Sequence, residues 1–204
     1  RRHTPRSHGE VPPTAHLLTV GEIDHPTAVS THGSRAGQPL SRQLPGCRVL
    51  EPRLPSPPVI RLLLVRHGQS EWNAEGRWQG RADPPLSDLG RLQARHAAGA
   101  LGAMAAVYSS TLERAADTAE LIAAELGIGP VISMPGLVER DAGAWSGLTR
   151  DEVERDFPGF LAADRRPPGW EGDTSLLARA SDALIRLVDA HRLDVGAHVL
   201  VVTH

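Results

Sequence analysis

Four short apolar runs, at residues 59–65, 105–108, 131–133 and 199–202, alternate with segments of helical spacing. This alternation restricts the chain to an α/β layer fold on a mainly parallel sheet. Ser87 is placed to cap a helix reaching about residue 101, with Leu89, Leu92, Ala97 and Ala100 near helical spacing. Thr111 opens a second helix that stops at Gly127. A short helix near 151–156 is ended by Pro158, and a long one spans 173–191. Residues 135–148 and 165–172 read as loops. The expected architecture is a three-layer α/β/α sandwich that presents ligands at the carboxyl ends of its strands.

Before residue 59 the pattern is absent. Residues 1–58 hold ten of the 17 prolines, no aromatic residue and no sustained period, so they have little with which to bury a core. They are expected to be a disordered, proline-rich segment ahead of a domain at 59–204. His3, His8, His16, His25 and His32 share no ligand spacing with one another or with Cys47 and read as solvated. The chain starts without methionine and stops at His204 on the edge of an apolar run, so the domain is expected to be truncated C-terminally. On that reading a longer parent is active and this stretch weak or inactive.

A net charge of −2 provides no broad basic field, which argues against a nucleic-acid partner. All 22 basic residues are arginine, a side chain suited to bidentate oxyanion binding. The single Cys47 excludes an internal disulfide framework and fits a reducing compartment, with cytoplasm as the default. No stretch reaches ~18 apolar residues and no secretory signal is evident, so neither membrane span nor export is expected.

Three apolar runs end in chemistry-bearing residues. The first gives way to Arg66-His67-Gly68-Gln69-Ser70-Glu71-Trp72-Asn73. There Gly68 allows a sharp turn close to an anion, Arg66 supplies a fixed-fork cation, and a neutral His67 imidazole can attack phosphorus. The second leads into Ser109-Ser110-Thr111-Leu112-Glu113-Arg114, a helix N-terminus of the kind that attracts phosphate. Arg114 sits unfavourably with its own helix dipole, a local conflict that points to function. The last ends in Thr203-His204 and brings a second histidine to the same edge. In the loop at 137–147, Glu139 and Asp141 are both candidate proton donors, because a carboxyl held near phosphate charge is disfavoured in its ionised form.

Taken together, RHGQSEWN at 66–73, SSTLERAADTA at 109–119, LVERDAGAWSG at 137–147 and VVTH at 201–204 resemble the histidine phosphatase superfamily in its phosphoglycerate-mutase-like branch. The match covers roughly residues 59–204. The resemblance implies that His67 is phosphorylated, that Arg66, Arg114 and His204 bind and polarise the phosphoryl oxygens, and that Asn73 helps to hold them. Glu139 matches the family's proton donor, which leaves Asp141 a supporting role. The block Gly76-Arg77-Trp78-Gln79-Gly80 matches the family segment after the first motif, where Gln79 and Gly80 face the substrate. Neither metal nor other cofactor is implied.

Mutases of this family carry an inserted segment between the glutamate and the second histidine, but here that interval is only about 65 residues. The resemblance therefore favours a phosphomonoester hydrolase acting on a small metabolite, such as a sugar phosphate or a phosphoglycerate ester. The alternatives are a phosphoglycerate-type mutase and a catalytically weak phosphate-binding or regulatory module. A homodimer is compatible with the resemblance. Where family members often carry Gly-Gly-Glu-Ser, this chain has Gly169-Trp170-Glu171-Gly172-Asp173, so a substrate contact at Glu171 does not carry over securely.

Overall fold

The apolar runs form four parallel strands, β1 (Arg61–Arg66), β2 (Ala106–Ser109), β3 (Val131–Ser133) and β4 (His198–Thr203). They are seen in a computed structural model that describes residues 60–204; the disorder expected for residues 1–58 lies outside the described residues. The sheet order is β1-β4-β2-β3, so the strand latest in sequence is inserted between the first two. A strand covered on both faces needs an apolar side chain at every position. In β4, Val199, Leu200, Val201 and Val202 are all buried.

The period of two along β4 divides the interior into two cores. Leu200 and Val202 face one layer, made by α2 (Asp88–Ala98) and α3 (Glu113–Leu126). Val199 and Val201 face the opposite layer, made by α5 (Asp173–Ala190) through Ala183 and Leu187. The described residues therefore have the expected α/β/α layering. Two shorter helices, α1 (Glu71–Ala74) and α4 (Arg150–Asp156), lie in the connections and are closed by capping boxes from Ser70 and Thr149. Single 3₁₀ turns, Pro135–Leu137 and Gly143–Trp145, punctuate the stretch expected to be loop.

Two local expectations need correction. Helix α2 does not bury Leu89 and Leu92, which are 40% and 57% exposed; its inward face is Gly90, Ala94, Ala97 and Ala98. The turn after β1 approaches the helix so closely that a β-carbon on Gly90 would lie 2.0 Å from the Gln69 carbonyl oxygen. Helix α3 begins at Glu113 rather than Thr111, and its N-cap residue Leu112 has no side chain able to cap. Asp83 replaces that cap from 30 residues away, accepting the Glu113 N–H at 2.8 Å. The Glu113 N–H at this helix end is thus already taken by a carboxylate. Among the described residues, no helix is long and apolar enough to cross a membrane.

Candidate active site

The turn that leaves β1 places His67 at the carboxyl edge of the sheet with 6% of its surface exposed. Its Nδ1 lies 2.6 Å from the Gly68 carbonyl oxygen, which can only accept, so Nδ1 carries the proton. Nε2 therefore presents a lone pair, and the Nε–H of Arg114 points at it from 3.3 Å. Both contacts select the same tautomer, the one a nucleophilic imidazole requires. Burial pushes the His67 pKa from 6.5 down to about 4, helped by the Arg114 and Arg66 charges and opposed by the bond to Gly68. Near neutral pH the ring is uncharged.

Arg114, which the sequence places in the first turn of α3, is fully buried rather than a surface partner of Glu113 or Asp117. Two of its guanidinium nitrogens donate to main-chain carbonyls, to Ala82 at 2.8 Å and Gly80 at 3.0 Å. Desolvation lowers its pKa, while the carboxylates of Glu139 and Asp83 act in the opposite sense, and an arginine stays charged throughout. One turn further along α3, Thr118 donates to the Arg114 carbonyl at 2.7 Å and accepts the Gly68 N–H at 3.0 Å. This hydroxyl joins the helix carrying the cation to the turn carrying the nucleophile.

His204 follows β4 and lies beside His67, the two ring centroids 5.1 Å apart. Its Nε2 meets the Ser110 hydroxyl at 2.8 Å. Burial first, then the Arg114 charge, pushes its pKa from 6.5 down to about 2. His67 and Arg114, both buried, and the half-buried His204 thus form a group with a single fixed positive charge. Arg66 is exposed at the end of β1, and among the described residues no acceptor holds its guanidinium.

Beside this group a cavity of about 450 Å³ is lined by Arg66, Asn73, Gln79, Gly80 and Glu139 among the expected site residues, with Trp78, Arg140 and Trp170 along its wall. The Asn73 carboxamide oxygen accepts the Ser70 N–H at 3.1 Å, and the Gln79 oxygen accepts the Ser70 hydroxyl at 2.6 Å. Ser70 therefore orients both amides. The structure also separates the two candidate carboxylates. Glu139 lines the cavity, whereas Asp141 accepts the Gly143 N–H at 2.9 Å, a local turn that leads into the 3₁₀ segment.

Glu171 faces inward and pairs with Arg179 at 2.7 Å. Hydrogen bonding and charge from Arg179 hold its carboxyl down at about 2, against the opposing effect of burial. Ser110 and Thr118 lie inside a quoted motif but carry no sequence signal of their roles. Asp83 and Arg179 lie outside every motif, and most of their hydrogen bonds are to main-chain atoms, which leave no trace in a side-chain pattern.

The family model described as histidine phosphatase superfamily (branch 1) matches residues 62–204. The chain is 38% identical over 156 residues to a metal-independent phosphoserine phosphatase of Arabidopsis thaliana, covering 72% of this chain and 64% of the relative. It is 37% identical over 135 residues to glucosyl-3-phosphoglycerate phosphatase of Mycobacterium tuberculosis, covering 63% and 60%. The chain thus spans less than two thirds of the length of these curated relatives. Among solved structures, a mycobacterial glucosyl-3-phosphoglycerate phosphatase in complex with VO3 matches with a TM-score of 0.63 and 34% identity, covering 69% of this chain and 74% of that one. Bacillus stearothermophilus YhfR matches with a TM-score of 0.63 and 35% identity, covering 71% and 74%.

Proposed function

The chain belongs to the histidine phosphatase superfamily (branch 1), and from that premise we propose that it hydrolyses small phosphomonoesters through a phosphohistidine on His67. Residues 59–204 form the catalytic domain on this reading. The observation that carries it is the buried His67 ring, whose proton is committed to Gly68 and whose Nε2 lone pair faces the Arg114 guanidinium.

In the first step the Nε2 lone pair attacks phosphorus and the bond from phosphorus to the ester oxygen breaks. The Glu139 carboxyl gives its proton to the departing oxygen. In the second step the Glu139 carboxylate takes a proton from water as the water oxygen attacks the phosphohistidine. The phosphorus–nitrogen bond breaks, its electron pair returns to Nε2, and inorganic phosphate leaves. Charge in transit lies on the peripheral phosphoryl oxygens, so fixed groups at Arg66, Arg114 and His204 provide most of the stabilisation. Asn73, Gln79 and Gly80 bound the substrate side of the cavity. That cavity suits a metabolite-sized ester such as a sugar phosphate or phosphoglycerate ester. Relatives named for phosphoserine and glucosyl-3-phosphoglycerate support this class.

The test is hydrolysis of p-nitrophenyl phosphate in the presence of chelator, together with trapping of acid-labile phosphoryl protein. Chelator-resistant turnover and a labile adduct are expected in the wild type, with both lost in His67→Ala. Phosphate binding without turnover would replace this reading with a regulatory phosphate-binding module.

A further inference from the structure

Arg179 stands on α5, outside the phosphate site, yet all five of its N–H donors are committed. Nε and one terminal nitrogen donate to the two Glu171 carboxylate oxygens, both at 2.7 Å. The other terminal nitrogen donates to the carbonyls of Gly136 at 2.9 Å and Val138 at 2.6 Å. The remaining donor reaches the Glu139 carbonyl at 3.1 Å. Three of the five contacts therefore fall on four consecutive residues that lead to, and include, the cavity carboxylate. A guanidinium has five donors in a rigid plane, and no other side chain can satisfy this set.

Glu171 extends the clamp in two directions. One carboxylate oxygen accepts the Asp141 N–H at 3.3 Å, so the loop is held on both sides of Glu139. The other accepts from Arg81 at 3.1 Å, and Arg81 adjoins Gly80, whose carbonyl holds Arg114. A single ion pair thus sets the carboxylate loop against the cradle of the phosphoryl-binding arginine.

We infer that Arg179 is a positioning residue for proton donation: with Glu171 it fixes the loop at residues 136–141 so that Glu139 reaches the leaving oxygen. This inference rests on the proposed role of Glu139. A donor displaced by about 1 Å loses much of its advantage while the nucleophile is untouched, so the defect depends on how badly the leaving group needs a proton.

The experiment compares kcat/KM, which reports phosphorylation of His67, for two esters. p-Nitrophenyl phosphate expels a stable phenolate without protonation, whereas glycerol 2-phosphate expels an alkoxide that needs it. Arg179→Lys and Glu171→Gln are made alongside Glu139→Gln, with melting temperatures measured to keep every assay below unfolding. For Arg179→Lys the expected result is a loss of about tenfold or more on glycerol 2-phosphate and less than about twofold on p-nitrophenyl phosphate. Glu171→Gln should show the same selectivity, and Arg179→Lys should add little in the Glu139→Gln background. Equal losses on both esters, or no loss on either, overturn the inference and make Arg179 merely structural. If Glu139→Gln is itself unselective between the esters, the role of Glu139 falls and the inference falls with it. If only the Arg179 and Glu171 variants are unselective, the inference alone fails.

Discussion

Gly68 and Gly90 meet backbone against backbone. A β-carbon built on Gly90 would lie 2.0 Å from the Gln69 carbonyl oxygen, and one built on Gly68 would lie 2.4 Å from the Gly90 carbonyl oxygen. Replacing an interior helical glycine by alanine ordinarily stabilises by about 1 kcal/mol. At Gly90 the sign reverses, because the methyl must push the turn carrying His67 away from α2. Gly90→Ala is expected to lose about 1–3 kcal/mol, as overpacked sites do. Urea unfolding checks this, and a stabilised variant would sink the argument.

Histidine burial makes stability depend on acid. Because the folded pKa of His67 is lowered from 6.5 to about 4, the unfolded chain binds more protons between those values. Stability from this group is complete above pH 6.5 and is lost as pH falls toward 4, by about 3 kcal/mol in all. His204 is shifted in the same direction and adds to the slope. Denaturant midpoints followed from pH 7 to pH 4 should fall steeply in the wild type and less steeply in His67→Asn. Parallel curves would count against a neutral buried His67.

Arg114 is held by two main-chain carbonyls in a geometry that a lysine ammonium cannot span. Arg114→Lys keeps the charge but loses the fork, so inhibition by vanadate should weaken at least about tenfold and turnover should fall by roughly 10². Competitive inhibition constants measured on matched, folded protein decide the point. Unchanged vanadate affinity would remove Arg114 from the phosphoryl site.

Asp83 replaces the missing N-cap of α3 through its bond to the Glu113 N–H. Asp83→Ala should therefore cost about 1 kcal/mol of stability, the usual value of an N-cap, although the residue lies far from the helix in sequence. Thermal or denaturant unfolding gives the answer directly. A neutral change would mean that water caps this helix equally well.

The layer order and the strand positions could be read from periodicity because buried parallel strands need unbroken apolar runs; β4 buries all four of the expected residues 199–202. Helix faces were less legible. Leu89 and Leu92 carry more hydrophobicity than Gly90 and Ala94, yet the space beneath α2 admits only the smaller pair. Among site residues, the geometry brings His67, Arg114 and His204 into one group and places Asn73, Gln79, Gly80 and Glu139 around one cavity. Spacing alone could not separate Glu139 from Asp141. What separates them is a local main-chain bond to Gly143. The Arg179 clamp was invisible for a related reason, since three of its acceptors are carbonyl oxygens that every residue possesses.

The position of β4 bears on how the protein is made. Because β4 lies between β1 and β2, these earlier strands are not neighbours, and among the described residues β1 has no strand partner until β4 arrives. During vectorial synthesis the β2–β3 pair can form as soon as it emerges, while the turn bearing His67 stays unanchored from the sheet. Insertion of β4 bridges β1 to β2 and delivers His204 in the same event. The neutral His67 ring and its neighbour His204 therefore come together at the sheet edge only once β4 has paired with β1.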